Sequence, residues 1–233
     1  MILFYLITTL SYFTQKGNLM PLLKQGILIS IEGIDGSGKS TLLKNLSAIF
    51  YQNNYDLVIT KEPGDTPLGK KIRDIIVQMS DISCSTKAEF LLFATDRAQH
   101  FHEIIIPALN SNKLIISDRL ADSSLAYQGY GRELDIEQIQ SINHWAMNNV
   151  KPHLTIFVQI PVTIALKRIS ERSKELWSFE KEELLKKIAH GFEKMYKNRS
   201  NVIIIDGTQS SEYLTTKTYM KIETWIHKNN LLL

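Results

Sequence analysis

The residues Gly33-Ile34-Asp35-Gly36-Ser37-Gly38-Lys39-Ser40 satisfy the pattern G-x-x-x-x-G-K-[ST] in full, and Thr41 adds a further hydroxyl. An apolar run precedes them and an amphipathic one follows, which is the strand-loop-helix context that gives the pattern its meaning. Glycines let the backbone turn tightly and point successive N–H groups inward. The helix that follows contributes its unsatisfied N-terminal donors and the positive end of its dipole. Lys39 supplies a mobile charge for β- and γ-phosphates, and the Ser40 hydroxyl can ligate Mg²⁺. The bland alternative, a glycine-rich turn with an incidental lysine, does not account for this context. The loop therefore reads as a nucleoside triphosphate site, with ATP as the expected occupant.

That loop serves switches, motors and kinases alike. A guanine-binding N-K-x-D element is missing; the nearest string is Asn112-Lys113-Leu114-Ile115. A kinase needs a second anion site, and candidate residues exist. Pro63-Gly64 forces a turn, Thr66 can cap the helix after it, and Arg73 lies on that helix. Phe93 and Arg97 are spaced to share a helical face. A ring that stacks and a guanidinium that donates to a carbonyl suit a nucleobase, although a core ring beside a surface charge has the same spacing. Asp118 and Arg119 end an apolar run, where open α/β sheets bind ligands. The aspartate can act on a magnesium shell and the arginine can grip phosphate bidentately; a salt-bridged strand end is the plainer reading.

The elements that must position these groups alternate. Short, almost wholly apolar runs at Ile27–Ile31, Leu57–Thr60, Leu114–Ser117, Leu154–Gln159 and Val202–Ile205 predict parallel strands covered on both faces. Helical patterns separate them: the stripe Leu42, Leu43, Leu46, Ile49, Phe50, then Leu68–Met79, Lys87–Leu109, Asp135–Asn148, Val162–Arg172, Lys181–Lys197 and Glu212–Lys228. The alternation predicts an α/β fold, a doubly wound, mainly parallel five-stranded sheet of P-loop NTPase type with helices on both faces. The polar stretch from about 170 to 183, "SERSKELWSFEKEE" at its centre, interrupts the pattern and reads as a lid.

The chain has 233 residues, 44% hydrophobic and 22% charged, enough for one domain with a large core. A net charge of +3 gives no case for nucleic-acid binding. The single cysteine, Cys84, excludes an internal disulfide and fits a reducing, cytoplasmic setting. The opening run "MILFYLITTLSYF" is too short to span a bilayer and lacks the basic start of a signal peptide. Residues 1–25 therefore read as an extension ahead of a domain spanning 26–233, with 1–19, before Met20, expected to be dispensable.

The motifs "IEGIDGSGKST", "KEPGDTPLGKKIR", "KAEFLLFATDRAQH", "DRLADSSLAYQG" and "KPHLTIFVQIPVTIALKR", in that order from about Ile27 to Ile205, resemble the bacterial thymidylate kinases of the P-loop nucleoside monophosphate kinases. The resemblance implies ATP-dependent phosphorylation of dTMP to dTDP with Mg²⁺, by a cytoplasmic homodimer that needs neither nucleic acid nor membrane. It implies that Phe93 stacks on thymine and Arg97 donates to its O4. Arg73 and Arg119 would hold the dTMP phosphate, Tyr127 would pack on the deoxyribose, and Gln128 would contact the base. Glu62, Pro63, Gly64 and Ser123 would shape the acceptor pocket. Asp35 would help place the acceptor phosphate and the metal, alongside Ser40 and Asp118. Lys39, Asp35, Arg119 and a lid arginine, Arg172 before Arg168, would carry the chemistry. Some members keep that arginine in the glycine loop; here Ile34, Asp35, Gly36 and Ser37 fill those places.

Three positions depart from the family's pattern. Trp177-Ser178-Phe179-Glu180 replaces D-R-[FI]-E, and Leu120 follows Asp118-Arg119 where an aromatic or imidazole is usual. Asp65 replaces the second glycine of E-P-G-G-T, a negative charge that calls for a neutralising neighbour such as Lys61. A kinase of another acceptor (dUMP, another monophosphate, a deoxynucleoside) and an ATP-dependent binding module without transfer activity remain alternatives at this point.

Overall fold

The computed structural model describes residues 20–78, 84–173 and 179–233. Five strands, β1 (Ile27–Glu32), β2 (Leu57–Lys61), β3 (Leu114–Asp118), β4 (Leu154–Gln159) and β5 (Val202–Asp206), form one parallel sheet in the order β2-β3-β1-β4-β5. This is the doubly wound arrangement that the alternation predicts. Four strands run one residue further than their apolar cores, and the added residues are Glu32, Lys61, Asp118 and Asp206. Hydrophobicity marks where a strand is buried, but parallel pairing continues into the polar rim. Ile31 and Lys61 both stand level with Asp118 across β3, so charged groups gather at the carboxyl edge.

Helix α1 (Lys39–Gln52) lays Leu42, Leu43, Leu46 and Phe50 on one face of the sheet, against Ile27, Ile29 and Ile31 and beside Tyr219, Ile222 and Ile226. Full burial of each such side chain stabilises the fold by about 1.5–3 kcal/mol. Those last residues belong to α9 (Ser211–Lys228), the final helix. On the opposite face, Leu28 and Ile115 pack with Phe101 and Ile105. Helix α2 (Pro67–Val77) starts where Thr66 Oγ1 accepts from the Gly69 N–H at 2.9 Å, the cap that its type and position foretell.

The stretch Lys87–Leu109, predicted as one helix, is α3 (Thr86–His100), a π-helical turn over Phe101–Ile105, and α4 (Ile106–Asn110). Pro107 explains the interruption: it lacks an N–H, and its ring crowds the carbonyl four residues earlier, which a widened turn relieves. A segment without a strong apolar stripe, α5 (Ala121–Ser124) continuing into π-helical Leu125–Gly131, escaped the periodicity reading. Helix α6 (Ile136–Ala146) is shorter than expected, because Asp135 caps it and Asn148 and Asn149 take left-handed conformations. Helices α7 (Val162–Ser173) and α8 (Phe179–Tyr196) flank the expected lid. The lid's middle lies outside the described residues, as do residues 1–19 and Met79.

Residues just ahead of position 26 meet the C-terminal end of the chain. Leu23 is buried and bridges Leu232, the Lys24 N–H donates to the Leu231 carbonyl, and the Leu233 N–H donates to the Leu22 carbonyl. Residues 22–24 thus pair with the C-terminal segment, an association that local sequence cannot reveal. No helix among the described residues is long and apolar enough to cross a membrane.

Candidate active site

The glycine loop sits between β1 and α1, at the carboxyl edge of the sheet. Gly36 has φ +78°, and a Cβ there would lie 2.6 Å from the Ala165 carbonyl oxygen. Any side chain at that position would meet both left-handed strain and backbone. Lys39 is buried and donates to the Ile34 carbonyl at 2.8 Å, folded back inside the loop. Burial, and then the neighbouring Arg119 guanidinium, pull its ammonium down to about 7. The charges of Asp35, Asp118 and Glu32 counter that pull in part.

The Ser40 hydroxyl donates to Asp118 Oδ2 at 3.0 Å. The other oxygen, Asp118 Oδ1, is buried without a hydrogen-bond partner among the described residues. A hydroxyl beside a carboxylate with an unclaimed oxygen is the hard-oxygen set that a magnesium ion takes, completed by water and phosphate. No denser cluster of three or more His, Cys, Asp or Glu exists among the described residues.

Arg119 stands beside this pair with φ +72°, a left-handed conformation unusual for a residue with a long side chain. Its guanidinium donates to the Gly33 carbonyl and Ser123 Oγ at 3.0 Å each, to Tyr127 Oη at 3.1 Å and to Asp35 Oδ1 at 2.5 Å. Its carbon centre lies 5.0 Å from the Tyr127 ring centroid. Burial opposes the carboxylate of Asp35, but Arg119 and Lys39 outweigh it and hold that group below its usual range. Ser123 Oγ donates to Glu32 Oε2 at 2.6 Å, and Glu32 Oε1 accepts from Ser30 Oγ and the Leu120 N–H at 2.7 Å each. Burial, and next the charge of Asp122, raise Glu32 to about 7. The strained backbone of Arg119 is thus held from several sides, with a fixed cation facing the loop.

One cleft of about 910 Å³ is lined by loop residues, Lys39 and Ser40 among them, and also by Arg73, Phe93, Arg97, Arg119 and Gln128. Phe93 is half-buried, which leaves part of its ring open to a stacking partner. Arg97 is 1% exposed. It pairs with Glu62 Oε2 at 2.7 Å and donates to Asn143 Oδ1 at 2.7 Å and Ser124 Oγ at 3.2 Å. Its Nε–H has no acceptor among the described residues. Glu62 Oε1 meets His100 Nδ1 at 2.9 Å. Burial opposes the Glu62 carboxylate, but Arg97 and His100 prevail and lower it. Gln128 donates to Glu89 Oε1 at 2.9 Å, and Glu89 also pairs with Arg132. Arg73 is exposed and donates to the Pro63 carbonyl across the cis Glu62-Pro63 turn.

One cleft therefore brings together Asp35, Gly36, Gly38, Lys39, Ser40, Thr41, Glu62, Pro63, Arg73, Phe93, Arg97, Asp118, Arg119, Ser123, Tyr127 and Gln128. Gly33, Ile34 and Ser37 are buried loop residues behind this wall. Arg172 lies on α7, and its side chain is outside those described. Arg168, one turn earlier, reaches the loop carbonyls of Gly36 and Ser37 at 3.4 and 3.5 Å. Asp65 accepts from the Thr60 hydroxyl at 2.6 Å. Trp177 and Ser178 lie outside the described residues. The sequence reading missed Glu32, His100, Ser124 and Asn143. Each is a polar residue in an apolar or helical pattern, a weak signal until the fold supplies its partner.

The geometry is that of a phosphate loop facing an aromatic and guanidinium pocket across a fixed arginine, and comparison with known proteins agrees. The family model for thymidylate kinase matches residues 31–217. A thymidylate kinase of Finegoldia magna is 40% identical over 80% of this chain and 92% of its own length. One of Halothermothrix orenii is 38% identical over 85% and 97%. The crystal structure of thymidylate kinase from Ehrlichia chaffeensis superposes with a TM-score of 0.66 at 27% identity, covering 85% of this chain and 99% of that one. The chain belongs to the thymidylate kinase family.

Proposed function

We propose that this protein transfers the γ-phosphoryl group of ATP to dTMP, giving ADP and dTDP. The observation that carries the reading is the single cleft whose lining joins Lys39 and Ser40 of the loop with Arg119, Phe93 and Arg97. Family membership supports it. Loop N–H groups and Lys39 hold the donor phosphates, and Thr41 adds its hydroxyl at the start of α1. The thymine ring stacks on Phe93 and its carbonyl takes a donor from Arg97. Tyr127 packs on the sugar, Gln128 contacts the base, and Glu62 with Pro63 and Ser123 shapes the pocket.

Arg73 and Arg119 draw the acceptor phosphate toward the loop. That phosphate is largely dianionic near neutrality, so no general base is needed. The chemical task is to align two repelling anions, which fixed cations perform by positioning and charge stabilisation. Ser40 and Asp118, with Asp35 at the acceptor side, would hold a magnesium ion; when bound it supplies charge neutralisation for the bridging phosphate oxygens. Arg172 on α7 is the lid cation of this reading, and Arg168, which reaches the loop carbonyls from the same helix, is the second choice. Closure over the site would exclude water.

The same reading makes the protein a cytoplasmic homodimer with no dependence on residues 1–19. Exposed Trp145 on α6 and Leu91 on α3 offer apolar area that a second copy would cover. Sedimentation and deletion of residues 1–19 test these points. The activity is tested by coupled ADP release over a panel of nucleoside monophosphates and deoxynucleosides. Turnover with dTMP, and dTDP as product, is the expected result. Turnover confined to deoxynucleosides, or tight ATP binding with no acceptor-dependent turnover, would sink it.

A further inference from the structure

His100 closes α3, is 1% exposed, and is wedged between Thr60 near the end of β2 and Glu62 just after that strand. Its Nδ1 lies 2.9 Å from Glu62 Oε1, and its Nε2 lies 2.6 Å from Thr60 Oγ1. Thr60 Oγ1 in turn lies 2.6 Å from Asp65 Oδ2. The proton count along this chain is constrained. A carboxylate only accepts, and a threonine hydroxyl has a single proton to give. That proton goes to Asp65, so the Thr60 oxygen must accept from His100 Nε2–H. Glu62 likewise must accept from His100 Nδ1–H. Both ring nitrogens therefore donate.

We propose that Asp65, acting through Thr60, holds His100 as a buried imidazolium, and that His100 is a positioning residue fixing Glu62 beneath Arg97 in the acceptor pocket. With glycine at position 65, the Thr60 hydroxyl is free to donate to His100 Nε2, and a neutral ring satisfies both neighbours. Asp65 is thus the residue that selects the charged state, through a path distinct from neutralisation by Lys61. The charged groups facing the ring are Glu62 and, through Thr60, Asp65 from the segment after β2, with Asp96 and Arg97 from its own helix. The consequence concerns Arg97. Glu62 shared between two cations holds the buried guanidinium in place.

The test is NMR of the ring nitrogens in the ¹⁵N-labelled full chain at pH 7.5, with His100→Gln to assign the signal. The wild type should show both His100 nitrogens protonated. Asp65→Gly should show one protonated and one bare nitrogen, and so should Thr60→Val, which removes the hydroxyl without changing the shape. A bare nitrogen in the wild type, or an unchanged ring in both variants, overturns the proposal. A kinetic arm rests on the reading of this pocket as the thymine site. The His100→Gln KM for dTMP should rise while kcat stays close to wild type. An unchanged KM, or a fall in kcat with KM unchanged, would overturn the positioning role. If dTMP is not the acceptor, the nitrogen spectra still decide the proton count.

Discussion

The hydroxyl that ends the glycine loop and the carboxylate that ends β3 are in direct contact: Ser40 Oγ donates to Asp118 Oδ2 across 3.0 Å. Parallel pairing of β1 with β3 brings the loop and the aspartate to the same edge of the sheet. With Asp118 Oδ1 unclaimed among the described residues, the pair offers hydroxyl and carboxylate oxygens to a hard cation. Asp118→Asn keeps the shape and removes the charge. A metal's share of transition-state stabilisation is several kcal/mol, so kcat should fall by about 10²-fold or more, and the magnesium concentration for half-maximal rate should rise. Magnesium titrations at fixed ATP measure both; an unchanged requirement would separate Asp118 from the metal.

Arg119 should resist conservative replacement. Its guanidinium bonds the Gly33 carbonyl, Ser123, Asp35 and Tyr127 together, a fork that a single ammonium does not reproduce. Arg119→Lys should raise the KM for dTMP by at least about tenfold and lower kcat as well. Thermal stability should fall as well, because the bonds that hold the left-handed backbone at position 119 are lost. Steady-state kinetics beside a melting curve separate the two effects.

The sheet, its order of strands and helices, and the loop were legible because each is encoded locally, by apolar runs, helical stripes and a contiguous glycine pattern. The paired residues of the site were legible only as types. Phe93 and Arg97 share a helical face, but that Arg97 is buried on Glu62 depends on residues 35 positions apart meeting. Glu32 stood just past an apolar run, and its partners Leu120 and Ser123 come from the segment after β3, a neighbouring strand distant in sequence. The docking of residues 22–24 on the C-terminus follows from tertiary packing that no periodicity records, whereas the π-helical turn before Ile106 answers to Pro107.

Arg97 and Phe93 should fail in different ways. Arg97 and Glu62 are a buried ion pair, with side chains 2% and 3% exposed. Removing one partner strands the other charge, at a cost of about 3–5 kcal/mol. Arg97→Met should therefore lower the urea midpoint strongly, and adding Glu62→Gln should recover part of the loss. Phe93→Ala should leave the midpoint comparatively close to wild type but raise the KM for dTMP. Loss of base stacking, about 1–3 kcal/mol, corresponds to about 5- to 150-fold. Equal stability losses from both substitutions would contradict the division between a buried support and an exposed platform.

Two buried groups should shape the stability of the nucleotide-free protein with opposite slopes in pH. Burial, and then Asp122, raise Glu32 from 4.5 to about 7. Between those values the folded chain keeps a proton that the unfolded chain has released, so this group makes stability fall as pH rises. Lys39 is lowered from 10.5 to about 7 by burial and by Arg119. Above about pH 7 the unfolded chain binds the extra proton, so this group makes stability rise toward pH 10. Together they predict a trough near neutrality. Glu32→Gln should gain on the wild type by on the order of 3 kcal/mol between pH 4 and pH 8. Lys39→Met should lose ground to it between pH 7 and pH 10. ATP, by setting phosphate beside Lys39, should hold the ammonium charged and fill the trough on that side. Urea denaturation at a series of pH values, with and without ATP, reads all of these; parallel curves for the wild type and both variants would show that neither group titrates differently in the folded chain.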